Sequence, residues 1–199
     1  EVAYSSSPAN FAFNNGWFDN TATDSNDIAW MFGRAPGFFD VVAYTGNSTA
    51  NRAVAHNLKA IPELIFTKCR SSSKDWAVYT PEGQGYLNTT NSLLDSSSRG
   101  YSTTVAFTDT NYYLHTTDVT NESPETYIAY LFATLPGVSK VGSYTGNGTS
   151  QTIDCGFSAG ARFVLIKRTD STSNWNLFDT ARGINGGGLD DPRLELNTT

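Results

Sequence analysis

The sequence predicts an all-β protein built from tandem antiparallel β-sandwich-like repeats of about 100 residues. Three observations lead to this prediction. A stretch of about fifty residues occurs twice. Short β-branched and aromatic runs recur about every 8 to 12 residues between turn-forming residues. No segment has the length and periodicity of a convincing helix.

The duplication is clearest between residues 28–47 and 128–147, where ten of the twenty aligned positions are identical at a shift of 100. One residue is lost further on, and at a shift of 99 Lys68 and Trp76 correspond to Lys167 and Trp175. A match of this length indicates a tandem duplication of a domain-sized unit.

The repeat divides the chain into three segments. Residues 38–135 form one complete unit, residues 1–37 resemble the C-terminal part of a preceding unit, and residues 136–199 are the N-terminal part of a following unit. We expect the chain to be an excerpt of a longer repeat protein. In the alternative interpretation, the two partial units complete one domain by strand exchange, within or between chains.

The elements are predicted in chain order. Phe11–Phe13 alternates as a short strand and is followed by a hairpin turn at Asn14-Asn15-Gly16. Ile28–Phe32 and its copy Tyr127–Ala133 are continuous apolar runs, as expected of strands buried on both faces. A Pro-Gly pair stops each run, because proline cannot donate to a ladder and glycine relaxes the backbone.

Further strands are expected in both copies from their β-branched and aromatic content. In the first copy they are Phe39–Tyr44, Arg52–Ala55, Glu63–Lys68, Trp76–Tyr79, Thr103–Thr108 and Tyr112–His115, and in the second copy Gln151–Asp154, Arg162–Lys167 and Trp175–Phe178. The glycine-rich stretches Gly83–Gly85 and Gly183–Gly188 are expected to be loops.

Composition excludes some classes of function. The formal net charge is -6 and the pI is near 4.8, which argues against nucleic acid, because its binders need a basic face. No run of 18 apolar residues predicts a transmembrane helix, so membrane insertion is not expected. Cys69 and Cys155 fall at non-equivalent repeat positions, which predicts unpaired thiols in or near the core.

No residue pattern predicts a catalytic, cofactor-binding or metal-binding site. The two histidines, His56 and His115, lie outside any zinc-type spacing, and Asp170–Asp179 lacks the ligand spacing of an EF-hand. The glycine-rich residues 183–188 lack the ending of a phosphate-binding loop, and we interpret them as a flexible hairpin.

Carboxylates and aromatics remain as weaker candidates. A glycosidase-like pair would come from Asp179, Asp190 and Asp191, or from Glu122 and Glu125, although all five lie in polar loops. The recurring aromatics Trp76, Trp175, Tyr44 and Tyr144 fit core or inter-unit packing. The non-repeated aromatics Trp17, Tyr86 and Tyr101 are better candidates for a surface platform on which sugars stack.

The two copies resemble a repeat found in virion proteins of tailed bacteriophages, often described as tail-fibre-like. The residues that carry the resemblance are Trp30–Asn47 in the first copy and Tyr127–Ala133, Pro136–Gly148 and Val164–Ser171 in the second. The resemblance extends over residues 28–199 and includes no catalytic motif.

The resemblance implies a non-enzymatic structural protein of the phage particle, most simply a tail fibre or adhesin component that contacts a host surface polysaccharide or protein. It implies other virion proteins as partners and, by analogy with phage fibres, a homo-oligomer, with a trimer as the usual form. The alternative is a head-decoration or tail-scaffold protein that docks on other virion proteins. A sugar-cleaving enzyme is the least favoured hypothesis.

Overall fold

The computed structural model describes residues 10–13, 16–18, 30–184 and 191–198. The chain divides into two units, Glu1–Met31 and Phe32–Thr199. In the first unit, strand β1 (Asn10–Phe13) pairs antiparallel with strand β2 (Gly16–Phe18). This pairing confirms the predicted short strand at Phe11–Phe13.

Among the described residues, the second unit contains ten antiparallel strands in three sheets. They are β3 (Phe39–Thr45), β4 (Arg52–Ala55), β5 (Leu64–Cys69), β6 (Ala77–Thr80), β7 (Gly83–Tyr86), β8 (Asn111–Leu114), β9 (Thr126–Phe132), β10 (Phe163–Lys167), β11 (Trp175–Asp179) and β12 (Leu194–Glu195). Among the residues that the structure describes, the single helical element is one 3₁₀ turn, Ser97–Arg99. The prediction of an all-β, antiparallel protein is therefore confirmed.

The main sheet has five strands in the order β3-β9-β5-β6-β7. Strand β9 lies between β3 and β5, and it pairs with β3 over its whole length and with β5 from Tyr127 to Phe132. Its side chains alternate between buried and half-buried positions, because a strand with neighbours on both sides presents residues to both faces of its sheet. The predicted apolar run Tyr127–Ala133 is therefore confirmed as a strand.

A second layer, the paired strands β4 and β8, covers one face of this sheet. The core between the layers is almost entirely apolar and aromatic. Its buried members are Val54, Leu58, Ile65, Ala77, Tyr101, Phe107, Tyr112, Leu114, Val119, Ala129, Leu131 and Ala133. Most of these buried core residues lie between Gly100 and Phe132 in the sequence.

The three-stranded sheet β10-β11-β12 packs on the opposite face of the main sheet. Trp175 is buried with Val78 and Leu93, and its indole Nε1 donates a hydrogen bond to the carbonyl oxygen of Tyr86 at 3.0 Å. Leu165 and Leu196 close the cluster from the side of the smaller sheet. The recurring tryptophan of the second copy thus packs against the first copy, as the sequence predicts for Trp175.

Three predicted strands are wrong for the residues described. Trp30–Phe32 belong to no strand, while Ile28 and Ala29 lie outside the described residues. Gln151–Asp154 form no ladder, because no described strand lies beside them as β8 lies beside β4. Thr103–Thr108 are irregular because the hydroxyl of Ser102 accepts the amide hydrogens of Thr104 and Val105, which competes with strand pairing.

The predicted loop Gly83–Gly85 is instead strand β7. The segment around Leu93 and Leu94 lies so close to β7 that a Cβ on Gly85 would come within 2.7 Å of Leu93 Cδ2. The glycines therefore permit two segments of the chain to approach closely, and they do not mark a loop.

Candidate functional site

The carboxylates that the sequence proposes as a catalytic pair do not form one among the described residues. Asp179 is buried, receives a hydrogen bond from the Arg182 amide at 2.8 Å, and forms an ion pair with the Arg182 guanidinium at 2.5 Å. It therefore anchors the turn after β11. Asp190 lies outside the described residues, and Asp191 is half-buried.

Glu122 and Glu125 stabilise the loop before β9. Lys74 Nζ lies 3.1 Å from a Glu122 oxygen and 2.9 Å from an Asp118 oxygen, and hydrogen bonds to these two carboxylates raise the pKa of Lys74. Glu125 accepts a hydrogen bond from Ser71, which lowers the pKa of the Glu125 carboxyl. A carboxyl with a lowered pKa is a poor general acid, which is the opposite of what a glycosidase pair requires.

The two histidines, His56 and His115, form hydrogen bonds with loop residues. The His56 ring is buried, its Nδ1 accepts the Leu58 amide hydrogen at 3.2 Å, and its Nε2 lies 3.3 Å from the Thr108 carbonyl oxygen. Burial lowers the pKa of His56. His115 Nδ1 lies 3.4 Å from the Thr116 hydroxyl. In the part of the chain that the structure describes, no group of His, Cys, Asp or Glu is arranged to hold a metal ion.

The cysteines are unpaired, as predicted: Cys69 is buried and Cys155 is partly buried. The aromatic predictions have mixed outcomes. Tyr101 is 0% exposed and belongs to the core, so its predicted role in a surface platform is wrong. Tyr144 is 51% exposed, so the predicted packing role is wrong for this copy of the repeated tyrosine. The side chain of Trp17 lies outside the described part.

Tyr86 is half-buried, and the Arg99 guanidinium lies over its ring at 4.8 Å from the centroid. Trp76 is partly exposed, stacks on Tyr130 with ring centroids 6.4 Å apart, and carries Lys68 Nζ 5.7 Å above its ring. Both rings are thus already contacted by neighbouring side chains, which compete with a stacked sugar.

A cleft of about 470 Å³ lies at the end of the main sheet, and none of these predicted candidates lines it. One wall is the turn Thr80–Gly83 between β6 and β7, and the other is the irregular segment Ser102–Phe107. The turn is fixed by the hydroxyl of Thr80, which donates to the Gly83 carbonyl oxygen and accepts the Glu82 amide hydrogen.

Hydrogen bonds also hold the opposite wall. Gln84 exchanges two hydrogen bonds with the backbone of Tyr101, at 2.9 and 3.2 Å, and thereby ties β7 to the start of the irregular segment. The hydroxyl of Ser102 donates to Asn51 Oδ1 at 2.7 Å. Both walls are therefore held in place before any ligand arrives.

The floor of the cleft is aromatic. The rings of Tyr79 and Phe107 pack with centroids 4.4 Å apart. Burial, and secondarily the charge of Asp95, raises the pKa of Tyr79, so its phenol stays protonated as a hydrogen-bond donor. The carboxylates of Asp95 and Glu82 lie at the rim, and Glu82 Oε1 also accepts a hydrogen bond from Ser143 in the second copy at 2.8 Å.

The chemistry of the lining limits the ligand class. No lysine or arginine is among the lining residues, whereas two carboxylates, several hydroxyls and an aromatic floor are. Such a lining disfavours anions and suits a neutral polyhydroxylated ligand, because carboxylates accept hydrogen bonds from hydroxyl groups and aromatic rings cover C–H faces. Sequence reasoning missed this cleft, because its lining residues come from separate segments without a shared motif.

A family model described as a domain of unknown function (DUF7483) matches residues 17–197, more than nine-tenths of the chain. The match runs without interruption through all three segments predicted from the repeat. Neither the comparison with curated proteins nor the comparison with solved structures gives a match. No helix in the described residues is long and apolar enough to cross a membrane.

Proposed function

The chain belongs to the DUF7483 family, and we propose that it is a non-enzymatic component of a bacteriophage particle, in a tail fibre or adhesin that contacts the host surface. The resemblance of its two copies to tail-fibre-like repeats suggests the particle. The observation that carries the binding role is the cleft between Thr80–Gly83 and Ser102–Phe107, which suits a neutral sugar of a surface polysaccharide.

The proposed contact is a shallow, multivalent one. A sugar ring would lie beside Tyr79, with the Tyr79 phenol donating to it and the carboxylates of Asp95 and Glu82 accepting from its hydroxyls. Single contacts of this kind are weak. Many copies on one particle would convert them into strong attachment through effective concentration.

The structure also supports a role without catalysis. Three members of the predicted carboxylate pairs are bound to structural partners: Asp179 to Arg182, Glu122 to Lys74, and Glu125 to Ser71. The two cleft carboxylates, Asp95 and Glu82, lie on the rim and have exposed side chains.

A head-decoration or tail-scaffold protein is the second candidate. The observation that favours it is that three large apolar residues between positions 138 and 153, Val138, Tyr144 and Ile153, are exposed. Exposed apolar groups of this kind are typical of surfaces that dock on another protein. In this role the chain would bind neighbouring virion proteins and no host receptor.

Two matched pairs of variants test the binding role. We expect Tyr79→Phe and Asp95→Asn to weaken binding to host-surface polysaccharide about tenfold each, measured by surface plasmon resonance on immobilised polysaccharide. Tyr113→Phe and Asp109→Asn make the same chemical changes outside the cleft and should bind as the parent does. Equal binding by all four variants would refute a role of the cleft.

Immunogold labelling of intact particles separates the two candidates. Antibody raised against residues 38–135 should place gold on the tail appendages if the chain is an adhesin. Gold distributed over the head would establish the decoration role. Particles that carry no gold, although the antibody binds denatured particle protein, would show that the epitope is buried within the virion, as a tail scaffold requires.

A further inference from the structure

The repeated Tyr-Thr-Gly-Asn motif ends on an asparagine in both copies, and the copies differ in the residue that follows it. Asn47 is followed by Ser48, whereas Asn147 is followed by Gly148. The side-chain carbon of an asparagine can be attacked by the backbone nitrogen of the next residue. Glycine permits the closest approach, because it has no Cβ to obstruct it. The two copies therefore present the same side chain to different nucleophiles.

The backbone nitrogen that would attack is held in the first copy and accessible in the second. The Ser48 amide donates a hydrogen bond to the carbonyl oxygen of Asn121 at 2.7 Å. In the part of the chain that the structure describes, the Gly148 amide has no acceptor, and residues 142–150 are all exposed. A Cβ built on Gly148 would meet nothing within 4 Å, so the space around this nitrogen is open.

The side-chain carbonyl of Asn147 accepts two hydrogen bonds from one residue. The amide and the hydroxyl of Thr149 both donate to Asn147 Oδ1, at 2.9 and 3.0 Å respectively. Donors aimed at a carbonyl oxygen stabilise the negative charge that develops there when its carbon is attacked. In the first copy the Thr49 amide donates to Asn47 Oδ1 at 3.0 Å, but the Thr49 hydroxyl donates to the backbone carbonyl oxygen of Asn47 instead.

We propose that Asn147 is a self-modification site, at which the chain converts asparagine to aspartate and isoaspartate through a cyclic imide. The Gly148 nitrogen attacks Asn147 Cγ and loses its proton to water, the Cγ–Nδ2 bond breaks, and ammonia leaves. Water then adds to either carbonyl carbon of the imide ring. One ring opening gives aspartate, and the other gives isoaspartate, whose main chain runs through the former side chain. The net reaction consumes water, releases ammonia and requires no oxidant or reductant.

The reaction would change the charge of an exposed loop with time. Each event replaces a neutral amide by a carboxylate, which adds one negative charge to a chain whose formal net charge is already -6. The new carboxylate lies in the same loop as the exposed Tyr144. The isoaspartate form also lengthens the main chain of this loop by one carbon atom. This inference does not depend on the cleft or on the host-surface role.

Peptide mapping of the aged chain tests the proposal site by site. Trypsin releases residues 141–162, in which Asn147 is the single asparagine, and residues 35–52, which contain Asn47 and Asn51. Conversion raises the mass of a peptide by about 1 Da, and fragment ions identify the residue. We expect Asn147 to convert at least about tenfold faster than Asn47, because the Ser48 amide must first break its hydrogen bond. Equal rates, or no conversion at Asn147, would overturn the proposal.

Free synthetic peptides separate the effect of the fold from that of the sequence. Peptides of residues 141–162 and 35–52 contain the same Asn-Gly and Asn-Ser pairs without the folded chain around them. We expect Asn147 to convert at least as fast in the folded chain as in its peptide, and Asn47 to convert more slowly in the folded chain than in its peptide. Slower conversion of Asn147 in the folded chain would refute the proposal, because the fold would then protect the site.

The variant Thr149→Val tests the second donor, because it removes the hydroxyl and nearly keeps the shape of the side chain. Thr149 is exposed, so this variant should fold as the parent does. We expect Asn147 to convert about tenfold more slowly in this variant. Thr49→Val makes the same change in the first copy, where the hydroxyl donates elsewhere, and should leave the rate at Asn47 unchanged. Equal rates at Asn147 in the parent and in Thr149→Val would contradict the role of the hydroxyl.

Discussion

The two matching stretches of sequence share the register of three strands each and differ in what covers them. In the first copy, residues 35–90, Phe66 lies opposite Val78, and Val78 opposite Gly85. In the second copy, residues 135–198, Leu165 lies opposite Leu177, and Leu177 opposite Leu194. These are the corresponding positions, so strand register is the same in both.

Hydrogen bonds outside the ladders are repeated as well. Lys68 Nζ donates to the carbonyl oxygen of Lys74, and Lys167 Nζ to the corresponding carbonyl of Ser173. The Trp76 and Trp175 amides each donate to an asparagine side chain after the third strand, Asn88 and Asn197 respectively. Turns, caps and register are therefore determined within about 25 residues of sequence in each copy.

Burial differs because it depends on distant residues. The first copy is covered by residues 100–132, which supply β8, β9 and the aromatic side chains of the core. The corresponding face of the second copy has no such cover within the described residues. The comparison teaches that local sequence determines the register of the strands from β5 to β7 and from β10 to β12, whereas strands such as β3 and β4 form only where a covering segment supplies β9 and β8 to pair with them.

The largest contrast is expected at the recurring tryptophans. Trp175 is buried between the copies and donates to Tyr86, whereas Trp76 lies partly exposed under Lys68. Trp175→Ala should lower the free energy of unfolding by about 4 kcal/mol, and Trp76→Ala by about 1 kcal/mol. Urea unfolding measures both, and similar losses would show that the second sheet does not pack on the first.

The next contrast lies at the glycines of the repeated Tyr-Thr-Gly-Asn motif. A Cβ on Gly46 would come within 2.0 Å of the Glu122 carbonyl oxygen, whereas Gly146 has no neighbour within 4 Å. Gly46→Ala should therefore destabilise the protein by about 3 kcal/mol, because the covering segment has to move. Gly146→Ala serves as the control and should change stability by less than about 0.5 kcal/mol.

These contrasts show what the sequence alone could predict. The strands Leu64–Cys69 and Phe163–Lys167 were predictable because their β-branched and aromatic residues act locally. The failed strand at Gln151–Asp154 was not, because its pattern matches that of β4 and only the presence of β8 distinguishes the two. The cleft was beyond sequence reasoning for the same reason, since Tyr79, Asp95 and Phe107 meet only after the layers pack.

A smaller effect is expected at the tyrosines of the same motif. The Tyr44 hydroxyl donates to the Thr120 carbonyl oxygen at 2.8 Å, and its ring stacks on Tyr127. Tyr144 is exposed. Tyr44→Phe should cost about 1.5 kcal/mol of unfolding free energy, because the Thr120 carbonyl loses its donor in a buried place. Tyr144→Phe should be neutral in the same denaturation experiment, and an equal loss would contradict the difference in cover.

The smallest contrast concerns pH, because the position of His56 in the first copy is Cys155 in the second. Burial lowers the pKa of folded His56 below the ordinary value of 6.5, so below that value the unfolded chain binds more protons than the folded one. Stability should therefore decrease as the pH falls from 6.5 towards the lowered pKa, and no further below it. Parallel urea titrations of the parent and of His56→Cys, which gives the first copy the residue of the second, measure this loss. If the unfolding free energy of His56→Cys decreases with falling pH as steeply as that of the parent, groups other than His56 cause the decrease.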